Sequence, residues 1–289
     1  MNRNKLVLLC GIPGSGKTTY AQNYIKEHDA VHFSSDLIRK ELYGDESIQG
    51  NPNDVFSLMQ KRALDALNNG QSVVYDATNI TRKDRANIIA ACPKFVQIEA
   101  HVIFAPIDVC IERDAARDRT VGKSVIDKML KRFQPPFYDE GFDDIQIILP
   151  ENFNATEYTF KVMDAMKIPH DNPHHSTDIY NHCMEAYLYA CKNNMGDDIE
   201  TAALWHDVGK PYTKAFVDSK GNQCETAHFY SHHNVGSYMS YGMSNCTPFL
   251  AWLVGAHMEP FFDTKYYNKL PAYLKKYIDE LHECDLNAH

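Results

Sequence analysis

The chain has 289 residues, of which 44% are hydrophobic and 23% charged, and its net charge is −9. This length allows one large domain or two ordinary ones, each able to bury a core. The composition is typical of a soluble globular protein, and it excludes a membrane span because no apolar run approaches the roughly 18 residues required. The short apolar stretch near the N-terminus lacks a cleavage site, so we expect a cytoplasmic protein without a membrane partner. Eight scattered cysteines without a CxxC pair indicate reduced thiols rather than a disulfide framework or a zinc ribbon.

Charge and residue type divide the chain into two halves. Residues 1–150 hold 19 Lys and Arg against 20 Asp and Glu, whereas residues 151–289 hold 10 against 18. All nine arginines lie in the first half, and eleven of the fourteen histidines lie in the second. Guanidinium groups suit phosphate oxygens and imidazoles suit metal ions. Unless the distribution is chance, it predicts a phosphate-binding half followed by a metal-binding half.

The first half of the sequence alternates between strand-like and helix-like segments. Apolar, β-rich runs predict strands at Lys5–Cys10, Ala30–Phe33, Ser72–Tyr75, Val96–Phe104 and Ile145–Leu149. Helical patterns predict helices at Lys17–Glu27, Leu37–Leu42, Asp54–Asn69, Arg82–Ala91 and Ile107–Arg117. This alternation predicts an α/β domain in which helices flank a parallel sheet.

Strand signals fade after Glu151, and long helical stretches replace them. These stretches are Ser176–Cys191, Asp198–Asp207, Val235–Met243 and Pro271–His289, whereas Pro211–Thr226 has the character of a surface loop. We therefore predict two domains, an α/β domain at residues 1–150 and an all-α domain at residues 151–289.

The stretch GIPGSGKTT follows the first predicted strand and precedes the first predicted helix. It fits the Walker A pattern, in which backbone N–H groups surround a phosphate and the helix N-terminus adds positive partial charge. We expect it to bind ATP or another nucleoside triphosphate, with Lys17 on the β- and γ-phosphates and the Thr18 hydroxyl on Mg²⁺. The residues assigned to the nucleotide are Gly11, Pro13, Gly14, Ser15, Gly16, Lys17, Thr18 and Thr19. The alternative is a glycine turn with an incidental lysine.

Asp36 and Arg39 follow the second predicted strand, in the stretch SSDLIR. Ligands gather at the carboxyl edge of a parallel sheet, so Asp36 is expected to face the phosphate loop. There its carboxylate could accept the proton of an attacking hydroxyl, and Arg39, one helical turn further on, could hold a phosphate of the acceptor. An N-cap aspartate beside a surface arginine is an equally good interpretation of these two residues alone.

Arg113 and Arg117 lie four residues apart in a predicted helix and would share one face of it. Such a pair can close over a triphosphate and neutralise the charge that develops during phosphoryl transfer. In isolation, a solvated charged helix that also carries Asp114 and Asp118 is the more common arrangement. A guanylate-specific GTPase is disfavoured because no Asn-Lys-x-Asp stretch is present.

The order GxPGSGKT, SSDxxR, DATN and an arginine-bearing lid resembles the kinase module of the polynucleotide kinase family, over about the first 150 residues. The resemblance implies that Asp36 is the general base for a nucleic-acid 5′-hydroxyl and that Arg39 contacts the acceptor's 3′-phosphate. It also implies that Arg113 and Arg117 clamp the ATP phosphates, and that Asp76 and Asn79 of the DATN stretch contact the acceptor. Kinases of small metabolites share GxPGSGKT and SSDxxR, so kinase activity is indicated more firmly than a polynucleotide acceptor.

Histidine and carboxylate motifs recur through the second half. The histidine-bearing stretches are HHSTDIYNH, LWHDVGKP, HFYSHHNVG and GAH, and ECDLNAH ends the chain. Imidazole and carboxylate groups from different helices suit a divalent transition metal with open positions for water and phosphate. Any one of these histidines is more often an ordinary polar residue, but the ordered set favours a metal site.

This half resembles the HD phosphohydrolase superfamily, and DIYNH, LWHDVGKP and HFYSHHNVG look especially like the HD module of tRNA nucleotidyltransferases. The resemblance implies an all-helical fold in which His182, His206, Asp207 and Asp285 bind a metal of the Mn, Ni, Co, Zn or Fe class. It places His232 and His257 where some members hold a second metal or contact phosphate. The number of ions, one or two, and the choice between His232 and His233 stay open. Asp207 is also a candidate proton acceptor, and Lys210 either holds a phosphate oxygen or is exposed.

A kinase and a phosphohydrolase would oppose each other on one terminus but would cooperate on opposite ends of a broken strand. We therefore expect a bifunctional end-healing enzyme that phosphorylates 5′-OH ends and removes 3′-phosphate or 2′,3′-cyclic phosphate. RNA is favoured over DNA because ribonuclease cleavage leaves such ends, and an RNA ligase would be the partner that seals them. The alternatives are a small-molecule or nucleoside kinase fused to an HD nucleotidase, and an HD module that only docks tRNA-like RNA.

Overall fold

The computed structural model describes residues 3–117, 119–172, 177–262 and 264–288. The chain divides into two compact units, one formed by residues 1–129 and 136–151 and the other by residues 130–135 and 152–289. Among the residues considered above, Asp118, His174, His175 and His289 lie outside the described residues. Within the described ranges, no helix is both long enough and apolar enough to cross a membrane.

The first unit is built on a five-stranded parallel sheet. Its strands are β1 (Lys5–Cys10), β2 (Ala30–Ser34), β3 (Ser72–Asp76), β4 (Gln97–Ile103) and β5 (Asp144–Ile148). They are ordered β2-β3-β1-β4-β5, and every neighbouring pair is parallel. The central strand β1 is buried from Leu6 to Cys10, which explains its continuous apolar sequence. The predicted α/β class is confirmed.

Helices connect the strands of this sheet. They are α1 (Lys17–Glu27), α2 (Ser35–Tyr43), α3 (Pro52–Asn68), α4 (Arg82–Ala91), α5 (Ile107–Ala115) and α6 (Lys123–Leu130), with a 3₁₀ turn at Tyr138–Glu140. Side-chain caps fix several of the helix starts. Ser34 accepts the backbone N–H of Asp36 at the start of α2, and Thr81 forms a reciprocal capping box with Asp84 at the start of α4.

The strand register brings three strand ends to one edge of the sheet. Leu9 of β1 and Ser34 of β2 are both paired with Asp76, the last residue of β3. The chain leaves β1 into the phosphate loop at Gly11 and leaves β2 directly into α2. Because parallel strands end on the same side, the candidate kinase residues converge there.

The second unit is mainly helical. Its helices are α7 (Ala155–Ala165), α8 (Ile179–Lys192), α9 (Asp197–Trp205), α10 (Lys210–Thr213), α11 (His232–Ser240), α12 (Pro248–Ala256), α13 (Glu259–Phe262), α14 (Lys265–Lys269) and α15 (Ala272–Leu286). Helices α8, α9, α12 and α15 pack on one another, and α11 packs on α12. Residues from the ends or first turns of these helices converge on one buried polar cluster.

Two local predictions are wrong. The stretch Pro211–Thr226, predicted as a surface loop, contains most of α10 and an antiparallel hairpin of β6 (Ala215–Val217) and β7 (Gln223–His228). The helix predicted at Ile107–Arg117 ends at Ala115. Arg117 therefore lies beyond α5 and does not share a helical face with Arg113.

Candidate active sites

The phosphate loop is shaped by glycines in positions that other residues would not fit. Gly14 has a φ of +81°, and a Cβ atom there would lie 2.2 Å from the backbone oxygen of Cys110. Gly16, with a φ of +103°, precedes the first turn of α1. The loop therefore presents the N-terminus of an eleven-residue helix to its own concave side. The hydroxyl of Ser15 is buried there without a hydrogen-bond partner among the described residues.

Lys17 and Thr18 begin helix α1 and face this loop. Lys17 donates from Nζ to the backbone oxygen of Ile12 at 2.9 Å, so its ammonium group lies over the loop. Burial lowers the pKa of Lys17, an effect that the carboxylate of Asp76 opposes. The Thr18 hydroxyl donates to Asp76 Oδ2 at 3.1 Å. One hydroxyl and one carboxylate side by side are suitable ligands for Mg²⁺.

The DATN stretch does not face the acceptor as the resemblance implied. Asp76 is buried and bonded to Thr18, and its Oδ2 also lies 3.1 Å from His32 Nε2. Asn79 is buried and donates its amide to the backbone oxygen of Leu9 at 2.8 Å. Asp76 therefore belongs to the candidate Mg²⁺ position, and Asn79 ties the end of β1 to the turn after β3.

Asp36 lies at the open rim, with its side chain 51% exposed. Its Oδ1 is 2.8 Å from Arg39 Nη1 and 3.4 Å from Arg119 Nη1. The charge of Asp36 also acts on Lys17, whose pKa it raises. The carboxylate is therefore close enough to the loop lysine for electrostatic coupling and is open to an incoming hydroxyl.

Two lid arginines stand on the donor side. Arg113 Nη1 is 3.5 Å from the backbone oxygen of Gly14, and the charge of Arg117 lowers the pKa of Lys17. Asp114, between them in sequence, is buried and accepts backbone N–H groups of Val121 and Gly122. The aspartate is thus a structural anchor for the segment after α5 rather than part of a solvated charged face.

The HD cluster begins with four residues from three parts of the second unit. His182 lies in the first turn of α8, His206 and Asp207 follow α9, and Asp285 lies near the end of α15. His182 Nε2 is 3.0 Å from Asp285 Oδ1 and 3.3 Å from His206 Nε2. His206 Nε2 is 3.3 Å from Asp207 Oδ2 and 3.4 Å from Asp285 Oδ1. These nitrogen and oxygen donors are close enough together to share one ion.

Asp207 also faces a second group of donors. Its Oδ1 is 3.1 Å from His232 Nε2, which in turn is 3.1 Å from His257 Nε2. The ligand atoms of Asp207, His232 and His257 all lie within 4.8 Å of one another, as do those of His182, His206 and Asp285. One carboxylate thus stands between two donor sets, an arrangement that fits two divalent ions. Of the adjacent pair, His232 and not His233 belongs to the candidate metal groups.

Backbone carbonyls orient three of these imidazoles. The Nδ1–H of His206 donates to Ala203 O at 2.7 Å, that of His232 to Phe229 O at 2.9 Å, and that of His257 to Val254 O at 2.7 Å. Each Nδ1 is therefore protonated, and each Nε2 directs its lone pair at the cluster when the ring is neutral. Ligating histidines are commonly fixed in this way.

Burial and charge shift the pKa values of the cluster in opposite directions. Burial is the largest single influence on His206 and opposes its protonation, but the carboxylates of Asp207 and Asp285 and the Cys183 thiol together outweigh it and raise the His206 pKa well above its ordinary value. Burial also opposes ionisation of Asp207, but Lys210 and His206 hold its pKa well below the ordinary value. Burial and neighbouring histidines lower the pKa of His257. A divalent cation, which binds carboxylate and neutral imidazole, would compete with the proton on His206.

Lys210 is held at this cluster rather than exposed. It is 7% exposed, and its Nζ lies 2.6 Å from Asp207 Oδ2 and 3.3 Å from His170 Nε2. His170 donates its Nδ1–H to Thr177 O, so its Nε2 is an acceptor for the lysine. Burial and the nearby lysine lower the pKa of His170 to about 4. No sequence motif marks His170, because it lies in an irregular stretch outside the HD motifs.

Two family models match the chain, one in each half. Residues 6–136 match the family model of the AAA domain, and residues 179–283 match that of the HD domain. The chain therefore joins an AAA-type P-loop kinase domain to an HD domain, as its motifs predicted. This combination supports an enzyme with kinase-type and phosphatase-type activity. The P-loop implies a nucleotide with a divalent metal, and the HD domain implies a metal of its own.

Individual proteins resemble the chain over only part of its length. Transcription factor bHLH140 of Arabidopsis thaliana is 28% identical over 149 residues, which are 48% of this chain and 15% of that protein. A chain of the Pnkp1/Rnl/Hen1 RNA repair complex is 25% identical with a TM-score of 0.41, over 46% of this chain and 44% of that one. A gluconokinase from Sinorhizobium meliloti is 16% identical with a TM-score of 0.38, over 52% and 86% respectively. The chain thus spans well under two thirds of the first two proteins.

Proposed function

We propose that the chain is a bifunctional enzyme that heals nucleic-acid ends. Residues 1–150 would transfer a phosphoryl group from ATP or another nucleoside triphosphate to a 5′-OH end. Residues 151–289 would remove a 3′-phosphate or open a 2′,3′-cyclic phosphate, with RNA favoured over DNA. The observation that carries the kinase assignment is Asp36 at the loop rim, where one open carboxylate lies within 3.4 Å of two guanidinium groups.

The kinase residues divide into a donor set and an acceptor set. Lys17 and Arg113 contact the phosphate loop, and Arg117 would add the third positive charge that transfer of a γ-phosphoryl group calls for. Thr18 and Asp76 would hold Mg²⁺, which supplies charge neutralisation on the transferring phosphate. Asp36 would accept the proton of the attacking hydroxyl. Two arginines beside that base favour an acceptor with a phosphate near its hydroxyl, which a nucleotide has and a simple sugar lacks.

The HD residues support hydrolysis of a phosphoester. His182, His206, Asp207 and Asp285 would hold one divalent ion, and Asp207, His232 and His257 a second, supplying Lewis acidity for attack by water. Lys210 is held between Asp207 and His170, so its remaining N–H is available to a phosphoryl oxygen. Asp207 is also the carboxylate best placed to take a proton from the water.

Two opposite reactions in one chain are productive only on different substrates or different ends. A kinase acting on 5′-OH and a phosphoesterase acting on 3′-phosphate would leave 5′-phosphate and 3′-OH, the pair of ends that a ligase joins. The alternative is a small-molecule or nucleoside kinase fused to an HD nucleotidase. The acidic net charge of −9 is the observation in its favour, because it provides no broad basic surface for a long nucleic acid.

A paired end-group assay tests the proposal. Matched RNA and DNA oligonucleotides with a 5′-OH and either a 3′-phosphate or, for RNA, a 2′,3′-cyclic phosphate are incubated with labelled ATP, Mg²⁺ and Mn²⁺. Asp36→Asn should abolish 5′-labelling while 3′-end removal continues, and Asp207→Asn should do the reverse. Arg62→Gln, which breaks only a surface ion pair with Glu41, is the control. Labelling of free nucleosides or sugars in preference to oligonucleotides would favour the metabolic alternative and refute end healing.

A further inference from the structure

Helix α13 places two exposed phenylalanines beside the HD cluster. The helix begins two residues after the candidate ligand His257. Its Phe261 and Phe262 side chains are 49% and 59% exposed. Glu259 accepts the hydroxyl of Thr264, a bond that ties the first residue of α13 to the start of the next helix. Large apolar side chains left in solvent next to a candidate active site indicate a surface that a ligand covers.

Phe262 is linked by ring contacts to the donor set that contains His257. The centroid of its ring is 6.2 Å from that of His233. His233 directly follows the candidate ligand His232 in sequence, and its ring centroid also lies 6.2 Å from that of His257. One imidazole thus separates the exposed phenylalanine ring from a candidate metal ligand, which places Phe262 at the rim of the cluster.

Phe261 lies beside the other donor set. Its ring packs edge-on against His282, with centroids 4.4 Å apart and an interplanar angle of 89°. His282 precedes Asp285 by one helical turn of α15, so the two side chains share one face of that helix. The Nδ1 atom of His282 is buried and has no hydrogen-bond partner among the described residues. The two phenylalanines therefore border different donor sets of the same cluster.

A second unpartnered polar atom lies on the neighbouring helix α8. His182 and Tyr189, seven residues apart on α8, both bond to α15, at Asp285 and Glu283 respectively. Glu185 lies between them on the same stripe of α8 and therefore faces α15. Its Oε2 atom is buried, and no described residue donates a hydrogen bond to it. Burying a carboxylate oxygen without a donor is unfavourable, and an N–H group of a ligand would remove that cost.

We propose that Phe261, Phe262 and Glu185 form a nucleobase subsite of the HD unit. The phenylalanine rings stack on the base of the nucleotide whose phosphate lies at the cluster, because every base has a π-face and a sugar phosphate has none. Glu185 accepts a hydrogen bond from an exocyclic amino group, which adenine, cytosine and guanine carry and uracil lacks. The inference rests on the proposed phosphoesterase activity and names its substrate class: nucleotides, with amino-bearing bases preferred to uracil.

Hydrolysis of substrates that differ only in the base tests the proposal. The full chain, saturated with Mn²⁺ and without ATP, is given the 3′-monophosphates and 2′,3′-cyclic phosphates of adenosine, cytidine and uridine. The same two phosphates of 1-deoxyribose, with hydrogen in place of the base, complete the series, and products are separated by chromatography. Adenosine and cytidine substrates should exceed the abasic ones by about 10-fold or more in kcat/KM, mainly through KM. They should exceed the uridine substrates by about 10-fold.

Variants of the subsite should change these preferences selectively. Phe261→Leu and Phe262→Leu keep an apolar side chain but remove the ring, so KM for the nucleotides should rise about 5- to 10-fold while the abasic substrates are unchanged. The amide in Glu185→Gln can donate to uracil as well as accept, so the uridine substrates should reach the kcat/KM of the cytidine ones. Tyr230→Leu is the matched control, because Tyr230 is an exposed aromatic residue that stacks on His228 instead.

The outcomes separate this inference from the phosphoesterase assignment itself. Hydrolysis of none of the substrates would refute the phosphoesterase activity and the inference together. Equal kcat/KM for nucleotide and abasic substrates in the wild type would overturn the subsite and leave the activity standing. A loss of bound metal in Phe261→Leu or Glu185→Gln, or an equal loss on abasic substrates, would show a structural role and overturn it too. So would a larger effect of Tyr230→Leu, which would place the base at the hairpin.

Discussion

Replacing Gly209 by alanine should disrupt one half of the HD cluster through a single backbone clash. Gly209 has a φ of −81°, so alanine meets no conformational strain there. Its Cβ, however, would lie 2.1 Å from the backbone oxygen of His232 and 2.6 Å from the backbone nitrogen of Gly236. The first distance is about 1.3 Å short of the 3.4 Å at which ordinary contact begins. A backbone atom cannot rotate away, so α11 has to move.

That movement exceeds what metal ligation tolerates. Distances from a metal to its ligands hold within about 0.2 Å, whereas His232 would shift by more than 1 Å. We expect Gly209→Ala to lose the ion held by Asp207, His232 and His257 and to keep the ion on the other side of Asp207. Overpacking of this kind costs about 1–3 kcal/mol, and each kcal/mol lowers Tm by about 2–4 °C in a protein of similar size. Hydrolysis of the phosphoester should fall with the lost ion.

Metal content per chain, measured by inductively coupled plasma mass spectrometry after saturation with Mn²⁺, gives the answer. The wild type should hold about two ions in the HD unit and Gly209→Ala about one. Gly255→Ala is the matched control, because the nearest atoms to its Cβ would be side-chain atoms of Ser237 and Pro135, at 3.2 and 3.3 Å, and not backbone. Equal metal content and equal hydrolysis rates in the two variants would refute the reasoning, because close packing would then not explain why a glycine occupies position 209 in the HDVGK stretch.

Two further predictions concern groups outside the metal ligands and the phosphate loop. Burial opposes ionisation of Glu99, but hydrogen bonds from a neighbouring histidine and lysine outweigh it and lower its pKa. The stability from this carboxylate is therefore complete above its unfolded pKa of about 4.5 and is lost as pH falls through the lowered folded value. The urea midpoint of the first unit, measured by proteolysis at each pH, should fall less steeply towards acid pH in Glu99→Gln than in the wild type. The same dependence of the midpoint on pH in both proteins would contradict this prediction. His170→Ala should cut kcat for phosphoester hydrolysis about 10- to 100-fold at constant metal content, because Lys210 loses a fixed acceptor. His170→Gln, which keeps an acceptor for Lys210, should recover part of the lost kcat. A parallel loss of metal in His170→Ala would show instead that His170 acts on the cluster as a whole.

The strands of the first unit could be predicted because their signals are local. The run Leu6–Cys10 is apolar throughout and is followed at once by glycine, and strand β1 consists of this run and the preceding Lys5. The end of α5 could not be predicted in the same way. Nothing near Ala115 in sequence stops a helix, and the stop coincides with the return of Val121 and Gly122 to the Asp114 carboxylate. That contact exists only in the folded chain.

The β6–β7 hairpin was missed for a related reason. Strand β6 has only three residues and β7 is mostly polar, so neither carries an apolar alternation long enough to distinguish it from a loop. The contacts that hold it are tertiary: Ala227 donates its N–H to Asp171 O, and Lys214 at the base of the hairpin bonds to Asp171. A propensity-based prediction does not include such partners.

The candidate sites divide along the same line. The resemblance to the HD superfamily selected His182, His206, Asp207 and Asp285, and the fold brings their side chains into one group of contacts of the size of a metal site. It could not select residues whose role depends on a distant partner. Asp76 joins Thr18 across 58 positions and Arg119 joins Asp36 across 83. Both contacts depend on the strand order and on the path of the chain after α5. Patterns in a single sequence contain neither kind of information.

The division of arginine and histidine between the halves now has a physical reason beyond chance. A guanidinium stays protonated, so it cannot ligate a metal, and beside a dinuclear cluster it would repel the ions. Among the nine arginines, only Arg132 belongs to the second unit. Lys210, the lysine that lies at the HD cluster, is balanced by Asp207 at 2.6 Å. In the kinase unit the requirement is reversed, because transferred phosphate is neutralised best by fixed cations that never lose their proton. Metal binding thus disfavours arginine and phosphate neutralisation disfavours histidine. The sequence accordingly keeps arginine in the first half and most of its histidine in the second.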